Sequence, residues 1–187
     1  VGSGGALSGD RSSVVTTGAV GFSVSGASFA LATVSKGSTS FSGLEASLSN
    51  AALLGVSGVD LQVSGTVKLN KTSVLNGPRI DWATATNATN DPGNLIPVLS
   101  ATSAQELRAS GSGSVNIGGA VVAVVGGLTL DIATASVVTG NAAITGLGTV
   151  AGTIDDAKIV SFGISGASLF VGSGGALSGD RSSVVTT

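Results

Sequence analysis

The sequence predicts an all-β protein, with the form of an elongated β-solenoid or a twisted β-rod that continues from repeat to repeat. The first observation is a duplication: Val1–Thr17 is identical to Val171–Thr187, so the period is 170 residues. The second is an alternation of apolar and polar residues with period two, which is typical of half-buried β-strands. The third is the abundance of glycine, 30 in 187 residues, which disfavours long helices. A tandem array of antiparallel β-sandwich domains is the alternative architecture.

The alternation is clearest in Val59–Leu69, where every second residue is apolar or glycine and the residues between are polar. Shorter stretches with the same period predict further strands at Leu44–Leu48, Ile80–Trp82, Leu128–Ile132 and Val160–Ile164. The continuous apolar run Val121–Val125 predicts a strand that is covered on both faces. A single stretch, Ser103–Arg108, predicts a short helical turn.

A pattern built around a Ser-Gly pair recurs three times in the chain. It reads FSVSGASFAL at Phe22–Leu31, FGISGASLFV at Phe162–Val171 and LGVSGVDLQV at Leu54–Val63. The alternation changes phase at the Ser-Gly pair, as an inserted residue requires. Because glycine adopts backbone angles that other residues avoid, the pair predicts a sharp bend or a β-bulge.

The duplication also predicts the domain organisation. Residues 1–170 form one full repeat unit and residues 171–187 begin the next identical one, so we expect the chain to be a window of a longer tandem array. One segment, Ala85–Pro97, differs in being rich in Pro, Asn and Asp, which interrupt ladders and favour turns. We expect residues 85–97 to form a protruding loop. Its candidate ligand-contact residues are Asn87, Asn90, Asp91 and Asn94.

Composition argues against most kinds of chemistry. The chain contains no His and no Cys, so it lacks the usual base for a serine nucleophile, and we expect no enzyme and no catalytic residue. The Lys and Arg residues are scattered, whereas a nucleic-acid site needs clustered positive charge. Asp is sparse, so we predict no metal site and no cofactor, with Ca²⁺ as the remaining candidate ion. The apolar stretch Ile117–Leu130 is shorter than the roughly 20 residues of a spanning helix, which predicts no membrane span.

Opposite charges often stand close together along the chain. The pairs are Asp10/Arg11, Arg79/Asp81, Glu106/Arg108 and Asp156/Lys158. Residues two apart on a strand share a face. We therefore expect these neighbours to neutralise each other on a solvated surface, with little effect on stability.

The chain resembles the tandem repeats of giant bacterial surface proteins of the filamentous adhesin-like class. The resemblance rests on the identical duplication, on the bias toward Val, Ala, Gly, Ser and Thr, and on strings such as FGISGASLFVG and VSGVDLQVSG. That resemblance implies an exported, elongated, β-rich rod that acts in adhesion, biofilm matrix or cell contact. We therefore expect a structural repeat of an extracellular fibre or stalk at the cell surface. Its partners are neighbouring copies of the same repeat, in tandem or laterally. The alternatives are an adhesin or glycan-binding module that uses the 85–97 loop, and a β-barrel pore.

Overall fold

The structure is a computed structural model that describes residues 2–87, 93 and 95–186. Its strands, in chain order, are β1 (Gly2–Ser3), β2 (Ala6–Leu7), β3 (Val14–Val15), β4 (Val20–Lys36), β5 (Thr39–Leu54), β6 (Val59–Thr72), β7 (Gln105–Ile117), β8 (Val121–Val138), β9 (Thr153–Val171), β10 (Gly175–Leu177) and β11 (Val184–Thr186). A seven-stranded antiparallel sheet has the order β1-β4-β5-β6-β7-β8-β9, and β2-β3 and β10-β11 form two small hairpins. The described residues contain no helix, so the all-β prediction is confirmed.

Two of the local predictions are wrong, and both concern the surroundings of the segment between β6 and β7. Gln105–Arg108 begins β7 instead of forming a helical turn, because Leu107 is held in the ladder between Leu69 and Ile132. Ile80–Trp82 is not a strand, since the Trp82 side chain turns into a core and the backbone N–H of Trp82 donates to the carbonyl of Ala101 at 2.9 Å. The other predicted strands all lie within β5, β6, β8 and β9. The predicted cover on both faces of Val121–Val125 is met on one face only, where Val122 and Val124 are buried, whereas Val121 and Val125 on the other face are half-buried.

The register of the sheet aligns apolar residues of neighbouring strands into rows. In β6, Val63, Gly65, Val67 and Leu69 point to one side, and each lies opposite an apolar residue or glycine on both neighbouring strands. The row through Val67 consists of Phe29, Ala46, Val67, Ala109, Leu130 and Phe162. We call the whole side of β4–β9 to which these rows point the apolar face; it also carries Val20 and Phe22 of β4 and Leu169 and Val171 of β9. The opposite side, which carries Lys68 of β6, is the polar face.

Two glycines keep the apolar residues of the outer strands on one side. Gly26 in β4 has φ of 62° and Gly166 in β9 has φ of 58°, in the left-handed region that favours glycine. The residues of β4 on the apolar face are even-numbered before Gly26 (Phe22 and Val24) and odd-numbered after it (Phe29 and Leu31), so the kink keeps both halves on this face. The predicted bend is confirmed at these two Ser-Gly pairs. The third, which contains Gly58, lies instead in the turn between β5 and β6.

A small core covers one end of the polar face. The segment between β6 and β7 brings Trp82, Leu99 and Ala101 against Ala32 of β4. The indole lies directly over Gly43 of β5, where a Cβ would come within 2.6 Å of the Trp82 Nε1. Glycine at position 43 therefore permits the close approach that buries the single tryptophan of the chain.

The two copies of the duplicated segment fold into the same hairpin. Ala6 pairs with Val15 in the first copy, and Ala176 pairs with Val185 in the second. Their surroundings differ: the first hairpin is exposed, whereas Gly175 of the second is buried against the end of the main sheet. The boundary between repeats at residue 170 stays a prediction.

Candidate functional site

The predicted ligand-contact loop lies partly outside the described residues. Asn90, Asp91 and Asn94 are not among them, and no contact of theirs is described. Asn87 is described, and its side chain closes the loop on itself. The Asn87 Nδ2 donates to the carbonyl of Gly93 at 2.6 Å, and the Asn87 Oδ1 accepts from the N–H of Leu95 at 3.0 Å. The structure thus assigns Asn87 a role in shaping the loop.

A buried amide anchors the segment between β6 and β7, residues 73–104, to the sheet. This segment contains the 85–97 loop, and we call it the loop segment. Asn70 of β6 is fully buried, and its Nδ2 donates to the carbonyls of Ile80 at 2.8 Å and Thr102 at 2.9 Å. The Asn70 Oδ1 accepts from the Trp82 Nε1 at 2.9 Å. The three hydrogen bonds fix both ends of the segment to the polar face. In the sequence, Asn70 is one more polar residue of an alternating strand, so no pattern identified this role.

Charged side chains on the polar face pair across strands instead of along them. Glu106 lies between two cations, with its Oε2 at 3.2 Å from the Arg79 Nη2 and 3.3 Å from the Lys158 Nζ. Arg108 pairs with Asp131 of the neighbouring strand at 3.6 Å. The expectation of ion pairs between sequence neighbours is therefore wrong for these residues, because the register places opposite charges of different strands closer together.

Glu45 shows how these charges are used. Its carboxylate accepts from the backbone N–H of Ser100 at 2.8 Å and lies 3.9 Å from the Lys68 Nζ. It therefore ties the far end of the loop segment to β5. The carboxylates of Glu45 and Glu106 thus hold the loop segment to the sheet, through Ser100 and Arg79.

Each copy of the hairpin contains an aspartate that organises its turn. In the second copy, Asp180 accepts from the Ser178 hydroxyl at 2.6 Å and from the Ser182 N–H at 3.1 Å. The Ser178 hydroxyl, followed by the N–H and hydroxyl of Ser182, lowers the pKa of Asp180 from 3.8 to about 2. Asp10 makes the same contacts with Ser8 and Ser12, and its pKa is likewise lowered to about 2. These carboxylates hold the turn of each hairpin together. The expected pairing of Asp10 with Arg11 is wrong, because Asp10 binds Ser8 and Ser12 instead.

The second hairpin docks on the polar face and borders an open cleft of about 260 Å³. The Arg181 guanidinium reaches Asp60 of β6, with both its Nε and its Nη2 at 3.0 Å from the Asp60 Oδ2. The N–H of Gly175 donates to the carbonyl of Gly119 at 3.0 Å. Serine hydroxyls, with Gln62 and Asp180, line much of the cleft. This docking joins residues 121 positions apart, and no sequence pattern pointed to it.

The outer edges of the main sheet are the other candidate surfaces. At one edge, β1 covers the start of β4 through the pairs Gly2/Gly21 and Ser3/Val20. Beyond these pairs, no described strand lies against the outer side of β4, and none lies against the outer side of β9. Long strands with open backbone groups are sites for pairing with another chain.

Among residues 2–87, 93 and 95–186, no three His, Cys, Asp or Glu side chains are grouped so that they could hold a metal ion. The same residues include no helix of the length and hydropathy needed to cross a membrane. No protein-family model, curated protein or solved structure matches the chain.

Proposed function

We propose that the chain is a structural repeat of an extracellular fibre or stalk, without catalytic chemistry, which extends when β9 of one copy pairs antiparallel with β4 of the next. The observation that supports this most is the position of β1. Gly2–Ser3 is identical to Gly172–Ser173, the two residues that directly follow β9. Because β1 lies antiparallel on the outer edge of β4, the same residues would lead the β9 of a preceding copy onto that edge.

The pairing of β1 also sets the register of the proposed joint. Gly2 lies opposite Gly21, so continuing the ladder places Val171 of the preceding copy opposite Phe22 and Leu169 opposite Val24. Both pairs consist of apolar residues on the apolar face. The rows of each sheet would therefore continue into the next, which supports one register over its neighbours.

A fibre built in this way would be a twisted β-rod that continues between repeats. Neighbouring strands of a sheet rotate in a constant sense, so successive six-strand units would wind around a common axis. In a tandem array, residues 1–170 would form one unit, and residues 171–187 would begin the next. Each added copy also covers an open edge, which removes the main route to disordered aggregation.

Cysteine cross-linking tests the joint, because the chain contains no native cysteine. A chain carrying L169C and V24C should form a ladder of disulfide-linked species under mild oxidation, since directly opposite residues have Cβ atoms about 5 Å apart. Both residues are exposed, so the substitutions should leave the fold intact. The matched control pairs L169C with L31C. Leu31 lies on the same face of β4 as Val24 but seven residues further along the strand.

A ladder from the first chain alone supports the proposal. Equal cross-linking of both chains would show association without a register, and monomers in both cases would show that the edges do not pair. Either result would remove the proposed function, provided that circular dichroism shows the same strand content as the unsubstituted chain.

A second function, recognition of a glycan or a surface by the 85–97 loop, is favoured by one observation. Leu95 in the loop and Val98 beside it are 73% and 93% exposed. Replacing residues 88–94 by a short Gly-Ser linker should abolish adhesion if the loop recognises a ligand. Unchanged adhesion with intact fibres would leave the structural function alone.

A further inference from the structure

In a single copy the large side chains of the apolar face are exposed or half-buried, and the small Ala51 within it is fully buried. The rows of this face through Val63, Gly65, Val67 and Leu69 contain no charged residue. Val67, at the centre of the sheet, is 42% exposed, and Phe29 and Phe162 at the two ends of its row are 67% and 63% exposed. The loop segment and the second hairpin both fold onto the other side. A continuous exposed apolar surface of this size requires an occupant.

We propose that the occupant is the apolar face of a second copy of this sheet, packed face to face as in a β-sandwich. From Val20 to Leu31 the face is roughly 36 Å long, and five strand spacings make it roughly 24 Å wide. Two copies would then bury roughly 1,700 Å² in total, which is the size of a stable, specific protein interface. Pairing of the strand edges plays no part in this argument, so the inference does not depend on the proposed function.

The relief of the face favours a second sheet. Gly65 and Gly111 lie opposite each other on the two central strands, and their missing side chains leave a depression of about 330 Å³. Leu48, Val67 and Leu128 stand around it. The largest side chains of the next row, Phe29 and Phe162, belong to the outermost strands. Large residues at the rim and small ones at the centre allow two such faces to interdigitate, because protein interiors pack to the density of crystals.

The ends of the face argue against a lipid bilayer as the occupant. Surfaces that face lipid place Trp and Tyr at the two water interfaces. Here the row nearest one end consists of Leu31, Leu44, Leu69, Leu107, Ile132 and Val160. The chain has no Tyr, and its single Trp82 is buried on the polar face. The second copy therefore fits the composition of the face better than lipid does.

Thiol labelling of single-cysteine variants tests the proposal in the full chain. Val67→Cys places a thiol at the centre of the apolar face, and Thr66→Cys places one on the neighbouring residue, which points to the polar face. Both variants are first checked for native strand content by circular dichroism. As the protein concentration rises from about 1 µM to about 100 µM, labelling at position 67 should slow by about tenfold or more, by mass action. Labelling at position 66 should stay constant.

Two further arms decide between the occupants. If two apolar faces pair, the sedimentation coefficient of the protein should rise with its concentration. Val67→Lys should abolish this rise, because it places a charge at the centre of the apolar face, whereas Thr66→Lys on the polar face should retain it. Labelling at position 67 that does not depend on concentration would overturn the proposal. Protection that occurs only with vesicles of phosphatidylcholine and phosphatidylglycerol, with co-flotation of the protein, would overturn it in favour of lipid. Edge pairing leaves the centre of β6 uncovered, so the L169C/V24C ladder and the protection at position 67 can fail independently.

Discussion

Replacing Asn70 by Ala should be among the most destabilising single substitutions in the chain. The change removes the acceptor of the Trp82 Nε1 and the donor to the carbonyls of Ile80 and Thr102. The Trp82 bond is buried and the two carbonyl bonds are part-buried. An unsatisfied buried group costs about 1–3 kcal/mol, and water can reach the part-buried carbonyls, so we expect a loss of about 3 kcal/mol in the free energy of unfolding.

The matched control is Asn50→Ala, on the neighbouring strand. The Oδ1 of Asn50 is buried and has no hydrogen-bond partner among the described residues, so its removal should cost less than about 1 kcal/mol. Urea unfolding measures both changes, with Trp82 fluorescence reporting the anchored loop and far-ultraviolet circular dichroism reporting the sheet. If Asn70→Ala and Asn50→Ala unfold at the same urea concentration, the reasoning about the buried amide is refuted.

Three further outcomes follow from the hairpins and from the absence of a metal cluster among the described residues. Gly175→Val should undock the second hairpin, because a Cβ at position 175 would clash with the Phe170 ring and lie 2.9 Å from Val122 Cγ2. Hydrogen exchange over β10 and β11 should then rise, whereas Gly5→Val, the equivalent change in the first hairpin, has nothing within 4 Å and should leave exchange unchanged. The lowered pKa of Asp180 means that its turn is stabilised above pH 3.8 and loses this stabilisation as the pH falls through about 2. In an NMR titration, the chemical shift of the Ser182 amide should change over that range. Retention of the native chemical shift at pH 1.5 would contradict the assignment. EDTA should leave the melting temperature unchanged, whereas a fall of several degrees in calorimetry would indicate a structural cation.

Much of the strand framework could be predicted from the sequence because period-two alternation is a local property. In β6, alternate residues from Val59 to Leu69 identify the strand and the side that avoids water before any partner is known. The bends at Gly26 and Gly166 could also be predicted, because the alternation of apolar and polar residues changes phase at both positions and such a change requires a kink in the strand. The identity of the first and last segments gave the 170-residue period, but the hairpin that both copies form was found only in the structure.

The tertiary structure alone decided which residues meet. Trp82 alternates with Ile80 and so resembles a strand residue, yet a buried contact with Asn70 and Gly43 holds it in a loop. Glu106 has Arg108 two positions away, but the register brings Arg79 and Lys158 to its carboxylate. Local pattern determines the strands and their apolar side because each residue contributes independently. Ion pairing across strands, docking of the second hairpin and the exposure of the apolar face depend on contacts between residues far apart in the chain. No local sequence pattern contains that information.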